Sequence, residues 1–153
     1  MSMNGSGKVA LNAGIEKAWE VLLNPQALKN CIMGCTKLET VGENKYEAVL
    51  SIGIAAVKGK YESTIEIADI QKPNHYKLIV KGEGGPGSVE ATGVVDLISI
   101  DENTTELQYT YDAEVGGKVA MVGQRMLNGV AKLIIQDFFK KFNKELAKSE
   151  QSV

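Results

Sequence analysis

The side chains with the clearest potential for metal or redox chemistry are two cysteines and one histidine. Cys31 and Cys35 lie four residues apart around Gly34, and His75 is the only histidine of the chain. A structural zinc site needs four Cys or His ligands, so this chain alone does not supply one. A redox pair more usually has two intervening residues than three, and disulfides are rare in reducing compartments. We therefore predict that both cysteines are small apolar side chains packed at a turn.

The sequence gives little support for nucleophilic catalysis. His75 has no partner histidine and no G-x-S-x-G motif occurs, so His75 is predicted to be an exposed turn residue beside Pro73. The stretch GEGGPGS joins two predicted strands and opens no helix, which favours a hairpin at a pocket mouth over a phosphate loop. Arg125, the single arginine, is predicted to be a solvated surface charge.

The carboxylates of the predicted strands fall on the phase opposite to the apolar residues, so we expect them to face water. They are Glu47, Glu62, Glu66, Glu90, Glu106, Asp112 and Glu114. Paired buried acids, which would indicate acid–base catalysis, are not visible.

Composition narrows the range of partners. The chain has 153 residues, a net charge of -2 and scattered charges, which argues against the basic face that nucleic-acid binding needs. One domain over residues 1–153 is predicted, with a frayed tail over 147–153. No apolar run is long enough to span a membrane and no secretory signal is visible, so a cytoplasmic location is predicted.

Two short helices are predicted to follow a first strand near residues 3–11. Apolar residues recur at helical spacing from Ile15 onwards. Asn24 followed by Pro25 is typical of an N-cap with a first-turn proline, so the second helix should run to about Cys31.

Further along, apolar and polar residues alternate, which predicts strands with one buried face. The alternating segments are residues 44–54, 58–70, 75–82, 88–97 and 106–115. All the tyrosines fall on the apolar phase: Tyr46, Tyr61, Tyr76, Tyr109 and Tyr111. The short connections contain turn residues, so we predict an antiparallel meander.

A long last helix is predicted from Lys118, about 30 residues and about 45 Å in length. Its main apolar stripe consists of Ala120, Leu127, Ala131, Ile134, Phe138 and Phe142. We expect this helix to lie across the sheet. If the sheet is strongly curved, the two cannot touch along their full length, and the space between them is a candidate pocket.

The first half of this helix carries a second apolar stripe, consisting of Val119, Val122, Met126, Val130 and Leu133. It also contains Gly123 and Gly129, each of which costs about 1 kcal/mol in a helix interior relative to alanine. Two interpretations stay open. The extra stripe packs under the short helices, or the segment is a movable gate that exposes apolar surface to a partner or a bilayer.

The order of elements resembles the START-like (SRPBCC) helix-grip superfamily. Three stretches further resemble the CoxG family of carbon monoxide dehydrogenase subunits: AWEVLLNPQALKNCIMGCTKLE, AAVKGKYESTIEI and GGKVAMVGQRMLNGVAKLIIQDFF. The matching positions are Trp19, Asn24-Pro25, Leu28, Cys31, Gly34-Cys35, Gly59, Gly116-Gly117 and Gly129-Val130-Ala131. This resemblance implies an α+β helix-grip fold, with a seven-stranded curved antiparallel sheet, two short helices after the first strand and one long C-terminal helix.

The resemblance also implies that the chain performs no chemistry of its own and needs no cofactor. It implies an accessory role near a molybdenum-containing CO dehydrogenase-type enzyme, with membrane recruitment and binding of an apolar molecule such as a quinone. The chain departs from the family at Met33, where proline is usual. It also stops soon after the helix, without the membrane-associating segment of many members. We therefore do not expect permanent anchoring, and peripheral contact at the inner face of the membrane stays open.

The leading hypothesis is a module that binds a lipid-like or quinone-like molecule between sheet and helix, with no metal and no cofactor. Cys31, Ile32, Met33 and Cys35 are expected to close one end of the cavity. The predicted lining residues are Cys31, Ile32, Met33, Tyr46, Leu50, Ile52, Tyr61, Ile65, Leu78, Val80, Val95, Tyr109, Tyr111, Met126, Leu127, Val130, Ile134 and Phe138.

Two other functions stay open. A small-molecule enzyme of the superfamily, of aromatase/cyclase or hydrolase type, needs inward-facing polar groups, and only Ser63 and the tyrosines offer themselves. A co-chaperone-like interaction domain would fill the cavity with its own side chains. The content of the cavity discriminates among the three hypotheses.

Overall fold

Over the residues that the structure describes, the chain forms one antiparallel sheet, two short helices and one long helix. The computed structural model describes residues 1–151, with side chains as far as residue 148. The strands are β1 (Ser2–Leu11), β2 (Cys35–Gly42), β3 (Lys45–Ile52), β4 (Gly59–Gln71), β5 (His75–Gly84), β6 (Gly87–Asp101) and β7 (Thr104–Gly116). The helices are α1 (Ile15–Leu22), α2 (Pro25–Cys31) and α3 (Gln124–Gln151), and 3-10 turns occur at Ala55–Val57 and Gly117–Val122. This confirms the predicted α+β helix-grip class.

The order of strands in the sheet explains the position of the short helices. The strands lie in the order β1-β7-β6-β5-β4-β3-β2, and every neighbouring pair is antiparallel. β1 and β2 follow one another in the chain but lie at opposite edges. The segment containing α1 and α2 must therefore cross from one edge of the sheet to the other. Among the strands that are neighbours in the sheet, only β1 and β7 are not consecutive in the chain.

The alternating pattern did not reveal β2, which entered the prediction only through the family's strand count. The strand pairs with β3 alone, and six of its eight residues are exposed. An edge strand with no continuous buried face has no period-two hydrophobic pattern to detect.

The short helices begin where the sequence predicts. The side chain of Asn24 caps α2, because its Oδ1 atom accepts hydrogen bonds from the backbone N–H groups of Gln26 (2.9 Å) and Ala27 (3.1 Å). On α1, Trp19 is buried and its ring meets the ring of Tyr76 edge-on, with 5.7 Å between centroids. This aromatic pair fixes α1 against the sheet.

The long helix begins later than the sequence predicted. The expected start at Lys118 is wrong, because residues 117–122 form a 3-10 turn and α3 starts at Gln124. Gly123 separates the two with a φ of 93°, a conformation that glycine tolerates and that an α-helix cannot contain. At the other end, α3 is described as far as Gln151. The tail expected to fray over 147–153 includes residues 152 and 153, which lie outside the described residues.

Side chains fix the C-terminal half of α3 to β1 and α2. The Oδ1 atom of Asn143 accepts from the backbone N–H of Asn12 at 2.9 Å, and its amide nitrogen donates to the carbonyl of Ala10 at 3.2 Å. Asn30 on α2 donates to Glu145 on α3. The closest backbone approaches of α3 are accordingly to α2, β1, α1 and the 3-10 turn at 117–122.

His75 differs from its predicted role as an exposed turn residue. Its Nδ1 atom lies 2.8 Å from a carboxylate oxygen of Asp96 and its Nε2 atom lies 3.1 Å from one of Asp69, and the side chain is 20% exposed. Both ring nitrogens can donate only when the imidazole is protonated. The hydrogen bond to Asp96, together with the one to Asp69, raises the pKa of His75 above its usual 6.5.

This arrangement predicts a pH-dependent stability. A raised folded-state pKa means that the stabilisation is fully present below the usual pKa and is lost as pH rises through the raised value. We expect the free energy of unfolding to fall between mildly acidic and mildly alkaline pH by less than about 1 kcal/mol, because the carboxylates are solvent-screened. Urea titrations of the protein and of His75→Gln at both pH values measure this. The exposed-lysine variant Lys45→Gln should keep the dependence, and an unchanged dependence in His75→Gln would contradict the assignment.

Candidate functional site

Two groups of buried apolar side chains lie on the face of the sheet that α3 covers, here called the inner face. The helix-end cluster joins α1, α2 and the C-terminal half of α3 to the sheet, around Trp19, Leu107 and Phe142. The turn-end cluster joins both 3-10 turns and the start of α3 to the sheet, around Val57, Val119 and Leu127. The two clusters share half-buried Leu50 at their boundaries.

Between the clusters, the inner face of the central strands carries unusually small side chains. This small-residue band consists of Ser63 on β4, Gly82 on β5, and Ala91 and Gly93 on β6. Ser63 pairs directly with Gly82 across the β4–β5 ladder. A Cβ atom placed on Gly82 or Gly93 would have its nearest neighbours at 3.8 Å, which is ordinary contact. A Cβ atom would therefore fit at both positions without a clash.

The inward-facing residues of α3 are less buried at the middle of the helix, opposite the small-residue band, than near its ends. Inward-facing residues are buried near both ends of the helix, where Leu127 is 4% exposed, Val130 9% and Phe142 1%. In the middle of the helix, Ile134 and Phe138 are only half-buried. The closest backbone approaches of α3 are also to elements outside the central strands, and the middle of the helix is less deeply buried than its ends.

Two tyrosines form the wall at the β1 edge. Tyr109 pairs with Gly7 and Tyr111 with Gly5, and their rings lie over these glycines. A Cβ atom on Gly7 would lie 2.5 Å from the hydroxyl of Tyr109, and one on Gly5 would lie 2.6 Å from the ring of Tyr111, so a larger residue at either position would displace a tyrosine ring. The ring of Tyr109 also stacks on Phe139 of α3 at 6.2 Å. Burial raises the pKa of Tyr109, which keeps its phenol neutral.

Most of the predicted lining residues lie on this inner face. Those in or against the helix-end cluster are Cys31, Ile32, Tyr46, Leu50, Ile65, Leu78, Val80, Val95, Tyr109 and Phe138. Those in or against the turn-end cluster are Met33, Ile52, Tyr61, Leu127, Val130 and Ile134.

The predicted lining residue Tyr111 covers Gly5, as described above. Met126 is the one predicted lining residue that does not lie on the inner face. The Met126 side chain is 55% exposed on the outer side of α3, so it does not face the sheet. The placement of Met126 in the lining is thereby corrected. The second apolar stripe divides in the same way, because Val119 and Val130 are buried whereas Val122, Met126 and Leu133 are exposed.

The sequence prediction missed Gly82, Ala91 and Gly93. Small residues contribute no signal to a hydrophobic pattern, and glycine in a strand is usually considered only a weakness or a bulge. The available signal was that Gly82 occupies the same alternate positions of its strand as Leu78 and Val80, and that Ala91 and Gly93 do so with Val95. That signal needs the register between strands, which the sequence alone does not supply.

The two cysteines lie in apolar surroundings, consistent with the predicted wall. Cys31 is fully buried, and burial, with a smaller contribution from Glu145, raises the pKa of its thiol to about 11. Burial also raises the pKa of Cys35. Both thiols are therefore protonated near neutral pH and are poor nucleophiles and metal ligands. Within residues 1–148, no group of three or more His, Cys, Asp or Glu side chains is arranged to hold a metal ion.

A depression of about 860 Å³ lies on the opposite, outer face of the sheet. The charged side chains that line it come from β2 to β7 and are Lys37, Glu39, Glu47, Glu62, Lys81, Glu83, Glu90 and Glu114. A charged, solvated surface does not suit an apolar ligand. Its carboxylates confirm that Glu47, Glu62, Glu90 and Glu114 face water, as does Asp112, whereas Glu66 and Glu106 are half-buried.

Comparison with known proteins identifies one matching family. Residues 7–147 match the model of the family described as CoxG, a carbon monoxide dehydrogenase subunit. Comparison with curated proteins finds no match. A crystal structure of a conserved protein from Geobacillus kaustophilus is 60% identical in sequence, with a TM-score of 0.94, over 96% of this chain and 97% of that chain.

More distant solved structures share the architecture. A START superfamily protein from Mycobacterium smegmatis is 10% identical, with a TM-score of 0.75, over 95% of this chain and 97% of that one. The Zhui aromatase/cyclase from Streptomyces sp. R1128 is 16% identical, with a TM-score of 0.71, over 97% of this chain and 95% of that one. At these identities the similarity shows the fold alone.

None of the helices within residues 1–151 combines the length and the apolar character needed to cross a membrane.

The surroundings of Cys31 predict slow thiol chemistry. In a Cys35→Ala variant, Cys31 is the only thiol left. A rise in thiol pKa from 9.0 to about 11 lowers the thiolate fraction at mildly alkaline pH by roughly a hundredfold, so native alkylation by iodoacetamide should be at least that much slower than alkylation in urea. The matched Cys31→Ala variant, which keeps only Cys35, should react faster in the native state. Equal native and unfolded rates for Cys31 would contradict this assignment.

Proposed function

Because this chain belongs to the CoxG family of carbon monoxide dehydrogenase subunits, whose model matches residues 7–147, we propose that it binds an apolar small molecule between α3 and the inner face of its sheet. The ligand class is lipid-like or quinone-like. The chain acts as an accessory protein to a CO dehydrogenase-type molybdenum hydroxylase and helps to recruit it from the cytoplasm to the inner face of the membrane. The membership in a family of accessory subunits supports a binding role over an enzymatic one.

The observation that carries the proposal is the lower burial of α3 at its middle than at its ends. Ile134 and Phe138 at the middle of α3 are half-buried, while the sheet opposite them presents the small-residue band. Protein interiors are normally close-packed, so a helix that is well buried at both ends and loosely covered in between indicates space for a guest.

The chemistry around this space suits a mainly apolar ligand. Ile65, Leu78 and Val80 border the band along β4 and β5, and Tyr111 borders it on β7. Burial of a chain of eight methylene groups gains about 6 kcal/mol, at about 0.8 kcal/mol each, before the cost of ordering the ligand. The hydroxyl groups of Ser63 and Tyr111 are the polar groups near the band that can donate a hydrogen bond to a quinone or carboxyl oxygen.

A filling variant tests this function. We expect the purified chain to bind decylubiquinone or palmitic acid, measured by titration calorimetry and native mass spectrometry. Gly93→Leu should weaken that binding by at least about tenfold because its side chain occupies the space, while the melting temperature stays equal or rises because a glycine leaves a strand. Thr92→Leu is the matched control, since Thr92 is exposed on the opposite face of the same strand.

Two results would overturn the proposal. One is that the unmodified protein binds neither decylubiquinone nor palmitic acid. The other is that folded Gly93→Leu binds them as tightly as Thr92→Leu does. If Gly93→Leu does not fold, Gly82→Leu provides the same test from the neighbouring strand, because an added Cβ there also meets only ordinary contacts.

A further inference from the structure

The start of α3 and the 3-10 turn before it expose large apolar side chains. Met121 is 85% exposed, Met126 55% and Leu133 48%, and Val122 is 37% exposed. Met126 and Leu133 are seven residues apart, which places them two turns apart on one side of α3. We call this group of four the helix-start surface. Isolated exposed apolar residues are ordinary, but several of them on a turn and on the helix that follows it point to a contact surface.

The charged residues in the stretch that carries this surface all have one sign. Between Glu114 and Asp137 the sequence contains no acidic residue, although the whole chain has a net charge of -2. The same stretch contains Lys118, Arg125 and Lys132, and all three are exposed. Asp137, one helical turn after Leu133 on the same side of α3, is paired with Lys141 at 2.7 Å. Exposed apolar side chains interspersed with cations are the pattern of helices that lie on anionic membrane surfaces.

We propose that the helix-start surface docks on an anionic lipid bilayer, with Met121, Met126 and Leu133 inserted among the acyl-chain ends of the headgroup region. Lys118, Arg125 and Lys132 then meet the lipid phosphates. A second copy of the chain is disfavoured as the occupant of this surface, because a symmetric contact would bring three cations against three. The inference rests on the proposed function, since it names the surface through which the chain meets the membrane.

The same turns of α3 have an inward side that belongs to the turn-end cluster. Leu127 and Val130 are buried there, whereas Met126 and Leu133 point outward. Docking through the outward side therefore brings the bilayer within one helix diameter, about 10 Å, of the inner face. The start of α3 is then the segment between the bilayer and the inner face, and Gly123 and Gly129 reduce its helical propensity.

Vesicle co-sedimentation of the full chain tests the surface. We expect binding to vesicles of phosphatidylcholine mixed with phosphatidylglycerol at low salt, and much weaker binding to phosphatidylcholine alone or at high salt. Met121→Asp and Arg125→Glu should each weaken the binding by about tenfold. The matched controls are Ile100→Asp, at a 57% exposed position on β6, and Lys144→Glu, at an exposed position further along α3, and both should bind as the unmodified protein does.

Several outcomes would overturn the inference. They are no sedimentation with anionic vesicles, equal loss in the variants and their controls, and a dimer in light scattering that Met121→Asp dissolves. Capture of an acidic protein without any vesicle binding would also overturn it. Failure here is distinguishable from failure of the proposed function, because decylubiquinone binding in solution is measured on the same variants. Gly93→Leu should still bind vesicles.

Discussion

The structure depends on how α3 is held, because the helix is fixed at both ends and loosely covered in between. Phe142 and the hydrogen bonds of Asn143 fix its C-terminal half to β1 and the short helices. Leu127 and Val130 fix its start to the turn-end cluster. With both ends determined, the middle of the helix cannot move closer to the central strands without repacking one cluster. The half-burial of Ile134 and Phe138 over the small-residue band is therefore a consequence of the two anchors.

The connections of the sheet lie at the two ends of the proposed ligand space. Because β1 and β2 lie at opposite edges, α1 and α2 must cross between them and so cover one end, where Cys31 is fully buried. At the other end, the β5–β6 hairpin meets the 3-10 turn, as the backbone N–H of Val119 donates to the carbonyl of Pro86 at 2.8 Å. The predicted hairpin at a pocket mouth thus lies against the segment that leads into α3.

The sequence alone predicted the features that depend on local chemistry. Residues close together in the chain produce the alternation of apolar and polar residues along β3 to β7. They also produce the Asn24 cap of α2 and the apolar side chains of the inner face. The missed features depend on residues distant in the chain. His75 is held by Asp69 and Asp96 from two other parts of the sheet. The orientation of Met126 depends on where α3 begins, and Gly123 places that start at Gln124. The small-residue band becomes visible only when the register between the strands is known.

The most direct measurement of the central claim is the position of a bound ligand by NMR. With methyl-labelled protein and decylubiquinone, the account predicts intermolecular nuclear Overhauser effects from the alkyl tail to the methyl groups of Leu78, Ala91 and Ile134. These residues lie on α3 and on the central strands, on either side of the proposed ligand space. Contacts confined to exposed methyl groups such as that of Met121, with none to Ala91 or Ile134, would contradict the account.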